Sequence, residues 1–141
     1  MKQINNEWIK LAIDAIEETK ISTGNEVPDT MNAYVSSFGA ATIQSGFIPA
    51  IIFFGSQKKD KAEHRPKLIA ALTKMVSEKE KEWLKFNKIE IPVIKQLEKD
   101  LKELVEYLLK LNPTQLAHIQ SLYNEAAIAF KLAIRTYKEK N

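Results

Sequence analysis

The sequence predicts an all-α fold, a compact bundle of about six helices forming a single domain over residues 1–141. Three observations lead there. From Thr30 to Gln57 there is no Asp, Glu, Lys or Arg, although these make up 28% of the chain. Such a stretch belongs mostly inside, and its first half repeats with a helical period through Met31, Tyr34, Val35, Phe38 and Ala41. Asn112-Pro113-Thr114-Gln115 is a complete helix start, with a cap, a proline at the first helical position and a glutamine placed to close a capping box. No segment alternates apolar and polar residues with period two, and no Asn-Gly or Asp-Gly hairpin turn occurs.

The first helix is expected over residues 3–21, with Ile4, Trp8, Leu11, Ala12, Ala15 and Ile16 on one face. Gly24 is placed to close it. Pro28-Asp29-Thr30 reads as a turn and cap for the second helix, which Ser45-Gly46 ends. Pro49 suits the first turn of a third helix, and the apolar run Ala50–Phe54 is what a helix buried on most sides requires. No apolar run is long enough to span a membrane, which takes about 20 residues.

Gly55 to Arg65 reads as a polar loop and Pro66 opens a fourth helix with Leu68, Ile69, Leu72, Met75 and Val76 as its stripe. A charged stretch follows, anchored by Trp83, Leu84 and Phe86. Pro92 opens a fifth helix lined by Val93, Ile94, Leu97, Leu101, Leu104, Val105, Leu108 and Leu109. The last helix runs from Pro113 to about Tyr137, with Leu116, Ile119, Leu122, Tyr123, Ala126, Ala127, Phe130, Ile134 and Tyr137 inward.

The chemistry-bearing inventory is thin. With no cysteine there are no disulfides, thiolate metal sites or thiol nucleophiles. His64 sits in a charged loop and His118 beside an apolar stripe, and both read as non-catalytic. Glu78 and Glu82 lie four apart among Lys79, Lys81 and Lys85, a solvated helix face before a carboxylate pair. No nucleotide-loop, hydrolase or metalloprotease motif occurs. The expectation is a protein that is not an enzyme, with no catalytic residue, no metal and no cofactor. The polar start of the chain does not read as a signal peptide, which with the missing cysteines points to the cytoplasm.

Function must then come from surfaces, and charge is unevenly spread. Residues 1–30 carry three Lys and six acids, residues 58–88 ten Lys/Arg and five acids, residues 131–141 four and one. Lys58, Lys59, Lys61, Arg65 and Lys67 cluster directly after the third helix. Lys131, Arg135 and Lys138 fall at i, i+4 and i+7 of the last helix, as one stripe. The plain reading of each is solvated surface; the functional reading is contact with nucleic-acid phosphates without base readout.

Two segments carry a family resemblance. One runs from Tyr34 to Ile43-Gln44-Ser45-Gly46-Phe47 and on through Ile51-Ile52-Phe53-Phe54-Gly55-Ser56-Gln57-Lys58. The other is Glu125-Ala126-Ala127-Ile128-Ala129-Phe130 with Arg135 ten residues after the glutamate. Together they resemble the small helical subunit of the type III-B CRISPR RNA-targeting effector, the Cmr complex. Ser45, Phe47, Pro49 and Leu132 depart from the family's usual residues. The resemblance implies an antiviral role without catalysis. Copies of the subunit self-stack beside the backbone and large subunits and line the groove where guide RNA pairs with target RNA. Base pairing supplies the sequence recognition there. The alternatives are a helical protein-interaction adaptor without nucleic acid and the small subunit of the sister type III-A complex.

Overall fold

The computed structural model describes residues 5–56, 65–89 and 97–140, of which 97–99 are described in their backbone alone. Helix α1 spans Asn6–Glu18. The Asn5 side chain caps it by accepting from the Trp8 N–H at 3.0 Å, and Trp8, Ala12, Ala15 and Ile16 are its buried face. It closes well before Gly24. Lys20 takes a left-handed conformation (φ 60°), its N–H donates to Glu17 O (3.2 Å), and Ile21 N–H donates to Ile16 O (3.0 Å). These paired bonds, with Ile16 and Ile21 both buried, are a Schellman stop. Gly24 instead serves the tight turn in which Thr23 and Glu26 exchange backbone hydrogen bonds.

A short strand β1, Glu26–Pro28, follows. Helix α2 spans Thr30–Ser45 and α3 spans Phe47–Gly55, hinged at Gly46, whose φ of 101° suits glycine. Phe38 of α2 and Phe54 of α3 meet edge to face at 5.6 Å. The uncharged stretch is less buried than its composition suggests. Ile52 and Phe53 are 43% and 51% exposed, so α3 buries one face only, and Ile43 of α2 is 87% exposed.

The helix at the centre is α4, Arg65–Lys79, which packs on α1, α2, α3, α5, α6 and α7. Its buried residues run almost all round: Leu68, Ile69, Ala70, Ala71, Leu72, Thr73, Met75 and Val76. The one hydroxyl in that set is answered inside the core, Thr73 Oγ1 lying 2.7 Å from Tyr123 Oη. A one-and-a-half-turn helix α5, Lys81–Phe86, then hangs on the buried Leu84. Helix α6 is Leu97–Lys110, with Leu104 and Leu108 buried and Leu109 facing solvent rather than joining the stripe. The expected start at Pro92, and with it Val93 and Ile94, lies outside the described residues.

Helix α7, Pro113–Ile134, begins as the sequence dictates. Gln115 N–H donates to Asn112 Oδ1 (2.8 Å), and Asn112 N–H donates to Gln115 Oε1 (3.2 Å). Its face Ile119, Leu122, Tyr123, Ala126, Ala127, Phe130 and Ile134 is buried against α1, α2 and α4. Helix α7 stops at Ile134, short of Tyr137. Strand β2, Lys138–Lys140, pairs parallel with β1, placing Lys138 opposite Glu26 and Lys140 opposite Pro28. The sheet is a two-stranded clasp on an otherwise all-α body with seven helices among the described residues. No helix among those residues is long and apolar enough to cross a membrane.

Candidate nucleic-acid interface

Of the eight cations singled out by the sequence, Lys58, Lys59 and Lys61 lie outside the described residues. Arg65 is turned toward the protein. Its guanidinium lies 4.6 Å from the Phe53 ring centroid, Nη2 donates to Ser56 O (3.3 Å), and the buried Nε has no hydrogen-bond partner among the described residues. It thereby ties the start of α4 to the end of α3.

Lys67, two residues on, points the other way and donates to the backbone oxygen of Lys20 at 3.2 Å. Lys67 and Lys20 line a cleft of about 350 Å³ that also takes in Thr23, Thr30 and Lys140. Three helices and both strands build it. The Schellman stop of α1 supplies Lys20, the first turn of α4 supplies Lys67, and β2 carries Lys140 beside the start of α2. Glu26 and Asp29 are in the same wall, leaving three ammonium groups to two carboxylates.

Lys131 sits in the last turn of α7 and donates to Ser36 Oγ of α2 at 2.8 Å. Arg135 is the exposed cap of that helix, and Lys138 is exposed on β2. Because the helix ends at Ile134, Lys131, Arg135 and Lys138 are not one helical stripe. The strand carries the charge on to Lys140, at the other end of the same stretch of α2. Ser36 and Thr30 are six residues apart, roughly 9 Å along that helix. Lys131 and Lys140 therefore both lie beside α2, Lys131 at Ser36 and Lys140 in the cleft with Thr30.

The polar partners of these cations are informative. Lys74 pairs with Glu18 (2.6 Å) and Lys79 with Glu7 (3.2 Å), tying α4 to α1. Lys67 and Lys131 instead meet a backbone carbonyl and a hydroxyl, neutral oxygens that leave their positive charge uncancelled. Lys20 and Lys140 were not singled out from the sequence. Lys20 occupies a helix-stop position where glycine is the usual signal, and Lys140 reaches the cleft only through a strand pairing with no local signature.

The histidines and carboxylates do not form a second site. His118 is half-buried with its ring 4.1 Å from Trp83, and its Nε2 has no hydrogen-bond partner among the described residues. His64 lies outside them. Glu78 is taken up by Lys81 at 2.9 Å. No group of three or more His, Asp or Glu among the described residues is arranged to hold a metal.

A family model described as CRISPR-associated protein (Cas_Cmr5) matches residues 4–131. The chain belongs to the Cmr5 family. Cmr5 is the small subunit of type III-B systems, so the chain is a component of a Cmr complex and the other Cmr subunits are its partners. No curated protein and no solved structure matches it.

Proposed function

We propose that this Cmr5 subunit is a non-catalytic part of the effector, stacking along the filament and holding the guide–target RNA backbone by its phosphates. The carrying observation is the set of lysines placed beside α2: Lys131 at Ser36, and Lys140, Lys67 and Lys20 around one cleft. Those side chains come from four elements, and two of them, Lys67 and Lys131, meet neutral oxygens. Such a surface can hold successive phosphates as point charges without reading bases, while pairing between guide and target supplies the sequence.

Mixing the chain with guide-loaded backbone subunits tests assembly: co-elution in a larger particle is expected, and separate elution contradicts the reading. Charge reversal at Lys67 and Lys131 tests the RNA face. Each reversal is expected to weaken target-RNA retention, and unchanged retention in the double variant contradicts the assignment.

A second reading, a protein-interaction adaptor, draws on the exposed apolar side chains Ile43 (87%), Phe86 (86%), Leu109 (66%) and Ile128 (52%). In the complex these are contact surface for neighbouring subunits. Binding to RNA that barely changes between about 50 and 200 mM salt would favour the adaptor reading.

A further inference from the structure

The described residues hold two non-glycine positions with positive φ, and both are lysines: Lys20 at 60° and Lys88 at 56°. Lys88 ends α5 as Lys20 ends α1. Its N–H donates to Lys85 O (3.1 Å) and Ile89 N–H donates to Leu84 O (2.8 Å), a second Schellman stop with Leu84 and Ile89 buried on either side of it. Glycine is favoured at such a position, because a Cβ crowds the following carbonyl. A lysine held there against that preference directs attention to what its side chain faces.

Lys88 faces a cleft of about 500 Å³ between α4, α5 and α6. The floor is apolar, from Leu84 and Ile89; Lys81, Lys85 and Lys88 stand around it, and the half-buried Tyr107 of α6 lines it as well. Lys81 shares its charge with Glu78 (2.9 Å), while Lys85 and Lys88 are exposed. A fourth ammonium, that of Lys110, lies 6.0 Å from the Tyr107 ring centroid. The volume is within the range of small-ligand sites, about 300–1,000 Å³. An accessible aromatic ring among several cations is the arrangement that takes one unpaired nucleotide, its base on the ring and its phosphates on the lysines.

We propose that the α4–α5–α6 cleft binds an unpaired nucleotide of single-stranded RNA, with the base stacked on Tyr107 and the flanking phosphates held by Lys85 and Lys88. The site rests on the RNA reading above but is separate from the Lys20–Lys67 cleft in residues and in the form of RNA it takes. A paired duplex presents phosphates and no free base face, whereas this cleft requires a base out of the stack.

The test is fluorescence anisotropy of the full chain with a labelled adenylate strand of about 10 nucleotides, and separately with the same strand in a duplex. Tyr107→Leu is expected to weaken single-strand binding about 10-fold, and Tyr107→Phe, which keeps the ring, to stay within about 2-fold of the parent. Lys88→Gly is expected to lower single-strand affinity about 3-fold while raising Tm, a pair of changes that no loss of folding can produce. Parent-like single-strand binding by Tyr107→Leu and Lys88→Gly overturns the proposal, as does equal weakening by Phe and Leu at position 107. Failure of the parent to bind the single strand at all also overturns it. Duplex binding, with Lys67→Glu and Lys131→Glu, reports on the groove reading alone: a loss there with no Tyr107 effect leaves the groove standing and this cleft refuted.

Discussion

Lys20→Gly separates what the backbone wants at the end of α1 from what the cleft wants. The residue sits at φ 60°, a conformation that costs an L-residue with a Cβ roughly 1–2 kcal/mol. Glycine removes that cost. Against it stand the extra entropy of glycine in the unfolded chain and the lost attraction between the ammonium and the helix C-terminus, together about 1 kcal/mol. The net is a gain of about 0.5 kcal/mol, or about 2 °C in Tm for a domain of this size. The same substitution takes one of three ammonium groups out of the cleft formed with Lys67 and Lys140. Removing one phosphate-binding charge reduces the steepness of log K against log salt by about 0.7–0.9. Lys20→Ala is the partner variant: it removes the charge but keeps the crowded Cβ. The assay is thermal unfolding beside target-RNA binding by the assembled complex at several salt concentrations. The glycine variant is expected to melt higher than the alanine variant, and both to show the same shallower salt dependence. A glycine variant that melts lower than alanine refutes the backbone argument. Salt dependence equal to the parent's in both refutes the placing of Lys20 against RNA.

Three further outcomes follow from the packing. Tyr123→Phe leaves the Thr73 hydroxyl buried without its 2.7 Å partner and is expected to cost about 1–2 kcal/mol, as is Thr73→Val, while the double variant recovers most of the loss in chemical denaturation. Burial is also what pushes the Tyr123 hydroxyl far above its ordinary value, so that group stays protonated through the usable pH range. The Tyr137 hydroxyl is pushed up to about 12, first by burial and then by its 3.0 Å hydrogen bond to Glu17 and the charges of Glu17 and Asp14. A group whose folded pKa is raised contributes stability below its unfolded pKa of about 10 and loses it as pH climbs toward the folded value. Tyr137→Phe is therefore expected to flatten the alkaline fall of Tm between about pH 10 and 12. Asn112→Ala removes the side-chain acceptor of the Gln115 N–H at the start of α7, leaving only the backbone half of the capping box, and is expected to cost about 1 kcal/mol, read as a lower denaturation midpoint with unchanged m-value.

The helices were legible because their signals are local. Asn112 with Gln115 marks the start of α7 within four residues of sequence, and the inward face of α7 follows the 3.6-residue period. The uncharged stretch correctly gave two helices with a break at Gly46, but overstated their burial: absence of charge does not require burial, as Ile43, Ile52 and Phe53 show. The most enclosed helix is α4, whose inner residues are interrupted by Lys67, Lys74 and Glu78, so charge density pointed away from the centre. Long side chains on one face of a central helix reach solvent by extending past the core.

The clasp escaped for a different reason. A three-residue strand has no period to detect, and the pairing of Glu26 with Lys138 joins residues from opposite ends of the sequence. The last helix ends at Ile134 and the chain enters that pairing at Lys138, so the expected Lys131–Arg135–Lys138 stripe becomes a path running from α7 into β2. The candidate site was half legible for the same cause. Lys67 and Lys131 were singled out by local charge density, whereas Lys20 and Lys140 join them only through the fold.

The most direct measurement is the salt dependence of target-RNA binding by the reconstituted effector with and without this subunit. Its inclusion is expected to make log K fall more steeply with log salt, by roughly 0.7–0.9 for each phosphate held, and the added steepness should vanish when Lys20, Lys67 and Lys131 are reversed in charge. Identical slopes with the subunit present, absent or charge-reversed would contradict a phosphate-holding role.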